Sequence, residues 1–106
     1  MDMDVAELLN VLSAKLASEG TSSRNLVAIE FDPDSGNVDV LTRERAHAKD
    51  YPDLISILRT IGRTCTQDRI GVQQLRRIDF AEEEINLELV SRSGDQQVVY
   101  TYPIED

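Results

Sequence analysis

Residues 26–41, LVAIEFDPDSGNVDVL, can be aligned without a gap with residues 75–90, LRRIDFAEEEINLELV. Both segments keep apolar or acidic residues at the same positions on either side of a polar centre. The clearest matches are Leu26 with Leu75, Ile29 with Ile78, Glu30 with Asp79, Phe31 with Phe80, Asn37 with Asn86 and Val40 with Leu89. The upstream segments also match, since ELLNVL at 7–12 is similar to DLISIL at 53–58. An internal repeat of about 48 residues predicts two copies of one supersecondary unit.

The first unit, about residues 5–42, has the pattern of a helix followed by two strands. The apolar residues with helical spacing are Val5, Leu8, Leu9, Leu12 and Leu16. Gly20 is a plausible helix stop. A half-buried strand is predicted next, and its inward residues are expected to be Val27, Ile29 and Phe31. DPDSGN at 32–37 has the chemistry of a turn, and residues 38–42 form the second strand.

The second unit, about residues 50–91, repeats this order. Its predicted helix has the apolar stripe Leu54, Ile57, Leu58 and Ile61 and ends by about Cys65. Strands follow at 75–80 and 85–90. An additional strand is predicted at about residues 96–103, where Val98, Tyr100 and Tyr102 alternate with other residues.

These elements predict a single α+β domain over residues 1–106 with αββ-αββ topology and one extra strand. Two units related by a pseudo-twofold axis form an antiparallel sheet with both helices on one face, a circular permutation of the ferredoxin-like sandwich. The predicted core is Leu8, Leu9, Leu12, Ile29, Phe31, Val38, Val40, Leu54, Ile57, Leu58, Ile61, Ile78, Phe80, Leu87 and Leu89. The other sheet face and the sheet edges stay open, and a partner is expected to bind there.

The composition favours an acidic protein without nucleic-acid or anionic-membrane partners. The 106 residues are 41% hydrophobic and carry 20 acidic against 11 basic side chains, a formal charge of −9. Such a charge repels phosphate backbones. The equivalent positions of Phe31 and Phe80 in the repeat indicate core residues rather than a base-stacking platform.

The sequence contains no evident catalytic constellation, and we predict neither enzyme activity nor a cofactor. A single histidine, His47, excludes a multi-histidine metal site within one chain and is expected to be an ordinary surface or loop residue. Cys65 is the single cysteine, so no internal disulfide forms, and a buried structural thiol is expected. Asp32, Asp34 and Asp39 have some of the spacing of a calcium loop, but the loop is short and lacks the closing Glu, which favours a plain hairpin turn.

The basic residues are concentrated in one segment. Between Leu54 and Ile78 the sequence has five Arg and one acid, a local charge of +4, whereas the segments before and after carry −6 and −7. This pattern is typical of a solvated surface or of a docking patch that orients a partner. For the second interpretation, the candidate partner-binding residues are Arg59, Arg63, Arg76 and Arg77. Arg76 and Arg77 replace Val27 and Ala28 of the first repeat.

The order LLNVLSAKL, NLVAIEFD, SGNVDVL, DLISILRTIGRT and VQQLRRIDFAEEEINLELV resembles the C-terminal periplasmic domains of the pilus assembly proteins PilN and PilO and the type II secretion proteins GspL and GspM. The resemblance covers about residues 5–91 and consists of hydrophobic spacings. Ala46-His47-Ala48 stands where the family has a small-residue stretch. The resemblance implies a ferredoxin-like domain below a transmembrane helix that forms homodimers and heterodimers and has no catalytic residues. The chain departs from that pattern in two ways: it lacks the membrane helix, and it has an additional last strand.

The expected function is therefore a non-catalytic protein–protein interaction domain of a type IV pilus or type II secretion inner-membrane platform. Its expected partner is a second copy or a related domain, in the periplasm if the chain is an excised fragment and in the cytoplasm otherwise. The alternative is a stand-alone acidic binding protein, such as a secretion chaperone or an inhibitor that mimics nucleic acid. An enzyme is the third and least favoured interpretation.

Overall fold

The computed structural model describes residues 4–20, 25–32, 34–44, 54–81 and 83–103. These residues form two α-helices and five β-strands. In chain order the elements are α1 (Val5–Ser18), β1 (Leu26–Phe31), β2 (Val38–Thr42), α2 (Leu54–Gln67), β3 (Leu75–Phe80), β4 (Glu84–Val90) and β5 (Gln97–Pro103). The predicted order of helix, two strands, helix, two strands and a last strand is confirmed.

Helix α1 begins with a side-chain cap and ends at a glycine. The Asp4 carboxylate accepts a hydrogen bond of 2.7 Å from the Glu7 backbone N–H, which satisfies one of the free donors of the first turn. The helix ends before Gly20, whose φ of +72° lies in the left-handed region that glycine tolerates best. The buried side is formed by Val5, Leu9, Leu12, Ser13 and Leu16.

Helix α2 is longer than predicted, since it continues past Cys65 to Gln67. Thr60, Thr64 and Thr66 lie within the helix, and their hydroxyls donate to carbonyl groups four residues earlier. The two helices pack closely at Gly62, where a β-carbon would come within 3.2 Å of the Ala6 Cα. The buried stripe of α2 is Ile57, Leu58, Ile61 and Cys65.

The five strands form one antiparallel sheet in the order β2-β1-β3-β4-β5. The first strands of the two sequence units, β1 and β3, are neighbours at its centre. Ile29 lies directly opposite Ile78, the residue to which it was matched in sequence. The two helices pack on the face that carries these isoleucines, because residues of both helices and of the strands belong to one buried cluster.

An irregularity occurs at the same place in β1 and β3. The pairing register shifts between Leu26 and Ala28 in β1, and between Leu75 and Arg77 in β3. A bulge of this kind adds one residue to a strand and changes which side chains face inward. The alternation predicted for Val27, Ile29 and Phe31 therefore does not extend through the bulge, since Leu26 belongs to the core and Val27 is half-buried.

The gapless alignment of the second strands is also wrong by two residues. Six residues separate Phe31 from Val38, with which it pairs, whereas four residues separate Phe80 from its partner Ile85. The longer turn is closed by Asp32, whose carboxylate accepts hydrogen bonds from the Asp34 N–H and the Ser35 hydroxyl. Val38 therefore corresponds in space to Ile85, and Val40 to Leu87 rather than Leu89.

Most of the predicted core residues are buried, and the predicted residues on the edge strand β2 are only half-buried. The predicted residues that are buried are Leu9, Leu12, Ile29, Phe31, Ile57, Leu58, Ile61, Ile78, Phe80, Leu87 and Leu89. Leu8, Val38 and Val40 are only half-buried against this core, the last two because β2 is an edge strand. The side chain of Leu54 lies outside the described residues. Cys65 is buried, as expected, and the core residues absent from the prediction are Val5, Leu16, Leu26, Leu75 and Ile85.

Candidate interaction surfaces

The sheet face opposite the helices, called the open face here, carries Glu30, Arg77, Asp79, Asn86 and Glu88 on its three inner strands, and Ala28 on the same side is buried. Successive side chains of a strand point to opposite faces, so these residues alternate with the core residues Ile29, Ile78 and Leu87. Glu30, Arg77 and Glu88 lie side by side across β1, β3 and β4.

Arg77 occupies the middle of a carboxylate cluster on the open face. Its Nη1 lies 2.7 Å from Glu30 Oε2 and its Nη2 lies 3.4 Å from Asp79 Oδ1. Its Nε lies 3.9 Å from Glu88 Oε2. The guanidinium therefore contacts carboxylates on three adjacent strands, and only 32% of the side chain is exposed. Its planar arrangement of five donors allows several carboxylates to bind at once.

Arg76, at the β3 irregularity, contacts its own backbone. One guanidinium nitrogen donates to the Gln73 carbonyl at 2.8 Å and to the Leu75 carbonyl at 2.9 Å. These carbonyls precede the point at which the β3 register shifts. Arg76 therefore has a structural role at the start of β3.

The remaining two candidate residues lie on the other side of the molecule. Arg59 and Arg63 are exposed on α2 and one helical turn apart. The helix lies on the covered face of the sheet, whereas Arg77 lies on the open face. The four arginines proposed from sequence thus do not form one patch.

Strand β5, which the sequence predicts as an additional last strand, lies at one edge of the sheet. It is the terminal strand of the sheet, and within the described parts of the chain only β4 pairs with it. Its sequence, QVVYTYP, contains no charged side chain. Val98 and Val99 are 36% and 51% exposed, on opposite faces of the strand. The absence of charged residues from these seven positions is visible in the sequence alone.

Side-chain hydrogen bonds fix β5 on the domain. The Tyr100 hydroxyl donates to Asp68 Oδ2 at 2.7 Å, next to the end of α2. Thr101 donates to Asn86 at 2.9 Å, and Gln97 donates to Glu88 at 3.1 Å. The strand is therefore held through one contact near the helix and two on the open face.

The Cys65 thiol and the two tyrosines of β5, Tyr100 and Tyr102, favour their neutral forms. Cys65 is buried, as predicted, and burial together with the nearby Asp68 raises the pKa of its thiol from 9.0 to about 11. The hydrogen bond to Asp68 raises the pKa of Tyr100. Burial raises the pKa of Tyr102, whose hydroxyl lies near Thr64 without reaching hydrogen-bond geometry. A buried thiol held in its protonated form is a poor nucleophile.

The acidic turn that could suggest calcium functions as a turn. Asp32 uses its carboxylate to bind Asp34 and Ser35 within the loop, and the Ser35 hydroxyl bond is the main cause of its lowered pKa. Among the described residues, no group of three or more His, Cys, Asp or Glu side chains is arranged to hold a metal ion. His47 lies outside the described residues.

The comparisons with known proteins gave no match, whether with family models, with curated proteins or with solved structures. No helix within the described ranges has the length and apolar character needed to cross a membrane.

Proposed function

We propose that this chain is a non-catalytic protein–protein interaction domain that dimerises and serves in an assembly. The observation that carries the proposal is that both helices cover one sheet face, while the other face and the edge strand β5 stay open in the described part of the chain. A half-covered sheet with an unpaired edge is a common basis for binding another polypeptide.

We also propose that the domain is a duplicated, circularly permuted ferredoxin-like sandwich. Three features support duplication: the repeated element order, the central pairing of Ile29 with Ile78, and the register shift at the same place in β1 and β3. The different turn lengths are compatible with an insertion of two residues in the first copy.

The assembly that we propose is the inner-membrane platform of a type IV pilus or a type II secretion system. The support is the sequence resemblance and the α+β sandwich with two helices on one face. In that setting the domain lies in the periplasm as part of a membrane-anchored protein, and its partner is a second copy or a related domain. As an independent protein it would instead be cytoplasmic.

The acidic character of the open face favours one alternative, a stand-alone protein that binds a basic partner. Glu30, Asp79 and Glu88 remain partly exposed around Arg77, in a chain with a net charge of −9. Binding of this kind weakens strongly as salt is added, because exposed charges are screened.

The solution mass at increasing concentration tests the proposed function. The chain has a mass of 11.9 kDa. We expect the mass measured by sedimentation equilibrium to rise toward twice this value between about 1 µM and about 1 mM, the range of weak to moderate association. A constant monomer mass throughout would contradict dimerisation, and salt-sensitive binding of polylysine by that monomer would support the alternative.

A further inference from the structure

We propose that β5 is the dimerisation surface, and that two copies join their β5 strands antiparallel to form one continuous ten-stranded sheet. This inference rests on the proposed function, since it specifies the surface through which the domain dimerises. The other copy of this chain is the occupant to which the proposal commits.

Within the described residues, the backbone of β5 pairs with β4 on one side and with no strand on the other. An edge strand has N–H and C=O groups directed away from the sheet, and these groups pair readily with another strand. In β5 the strand extends over seven residues, from Gln97 to Pro103, and pairs with β4 through all of them. The edge is therefore long, regular and held in strand geometry before a partner binds.

Strand β5 also differs from the other strands in having no charged residue. Each of β1, β2, β3 and β4 has at least one acidic residue, whereas β5 has none. Two chains of charge −9 repel each other, and a contact surface without charged residues avoids adding local repulsion between carboxylates. Natural proteins protect exposed edges with charged residues, so an uncharged edge in a chain that is 29% charged indicates a strand meant to be paired.

Several polar side chains of β5 already have hydrogen-bond partners within the chain. Gln97 and Thr101 bind Glu88 and Asn86 of β4, and Tyr100 binds Asp68. Glu88 also lies 3.9 Å from the Arg77 guanidinium. Glu88 is thus partly balanced by the chain itself, and a second copy meets backbone, uncharged polar side chains and the exposed Val98 and Val99.

The geometry follows from antiparallel pairing. Residues directly opposite each other in an antiparallel pair lie on the same face of the sheet. A twofold axis perpendicular to the sheet therefore places the helices of both copies on one side and both open faces on the other. Val99, on the open-face side, then packs beside the edge of the second copy, and Val98 does the same on the helical side.

The opposite edge is a poorer surface for this purpose. Strand β2 covers only Val38–Thr42, and Asp39 lies on it, exposed, with its side chain on the open-face side. Pairing two β2 strands would bring two carboxylates of like charge together, which destabilises a strand pair. The structure therefore distinguishes between its two edges.

The test is the substitution Val99→Lys, compared with Val11→Lys as a matched control. Val11 is 56% exposed on α1 and Val99 is 51% exposed on β5, so both changes add one positive charge at an exposed valine. Sedimentation equilibrium gives the dimer Kd of each variant, and thermal unfolding verifies that each is folded. We expect Val99→Lys to raise the Kd at least about tenfold, because a lysine on each copy places two like charges on the same face of the new strand pair. Val11→Lys should leave the Kd unchanged or lower it, since it reduces the net negative charge.

Each outcome bears on the two proposals differently. A dimer that Val99→Lys leaves intact, or that Val11→Lys breaks, overturns the β5 interface while dimerisation itself stands. A wild-type chain that remains a monomer overturns both. A folded Val99→Lys variant that is monomeric, beside a dimeric Val11→Lys variant, supports the β5 interface.

Discussion

At the scale of single residues, Arg77 shows how one cation organises the open face. Carboxylates of Glu30, Asp79 and Glu88 lie within 2.7–3.9 Å of its guanidinium. All of these side chains are partly exposed, so each pair on its own contributes little. The contribution of Arg77 comes from balancing three negative charges that would otherwise repel one another across the centre of the sheet.

We predict that Arg77→Ala lowers the free energy of unfolding by about 1–2 kcal/mol at low salt, since it leaves three neighbouring carboxylates without a cation. The difference from wild type should shrink as salt is added. Urea unfolding at two salt concentrations measures both effects. Arg63→Ala, which removes the same charge from the exposed side of α2, is the control. Equal stability of the two variants, or a deficit that is independent of salt, would contradict this role for Arg77.

Sequence comparison singled out Arg76 and Arg77 but could not assign their roles. The exchange of Val27 and Ala28 for two arginines is visible in the repeat. Which carboxylates surround Arg77 depends on the strand pairings, and these depend on the bulge in β3. An alternating pattern predicts a strand, whereas one extra residue in the strand reverses the direction of every side chain before it.

At the scale of elements, the Tyr100–Asp68 hydrogen bond joins β5 to the residue that follows α2, and groups with raised pKa values lie around it. The pKa values of Cys65, Tyr100 and Tyr102 are all raised in the folded chain. A group with a raised pKa holds its proton longer in the folded than in the unfolded state, so its stabilising contribution is complete below its unfolded pKa. The contribution is lost as the pH rises toward the folded value.

We therefore predict that stability falls with alkali, beginning near the unfolded pKa of Cys65. Between pH 9.0 and about 11 the thiol alone should lower the free energy of unfolding by up to about 1.4 kcal/mol per pH unit. Urea unfolding across this range measures the slope. Cys65→Ala removes the thiol and should give a shallower slope, even if its stability is lower at every pH because of the cavity left behind. An unchanged slope in Cys65→Ala would exclude Cys65 as its source.

The positions of the helices could be predicted better than their ends. The stripe Ile57, Leu58 and Ile61 identified α2, because apolar residues three and four apart share one helical face. The threonines after Gly62 favoured an earlier stop, yet their hydroxyls are satisfied by the helix itself. The contact of Gly62 with Ala6 involves two helices, and so no local pattern could show it.

At the scale of the whole molecule, the repeat predicted the architecture because two amphipathic units bury their apolar faces only together. It placed β1 and β3 in equivalent positions, and the structure pairs them at the centre of the sheet. It could not predict the sheet edges. Whether a strand is an edge depends on the order of strands in space, so Val38 and Val40 were expected in the core and β5 was not recognised as a surface.

The most direct measurement of the central claim is amide hydrogen exchange in β5 at low and high protein concentration, read residue by residue by NMR. We expect the β5 amides directed away from β4 to exchange quickly in the dilute monomer and to become protected as the dimer forms. Amides of β2, at the other edge of the sheet, should exchange equally at both concentrations. Exchange in β5 that does not change with concentration, or new protection on β2 or α1 instead, would contradict the assembly of two copies through β5.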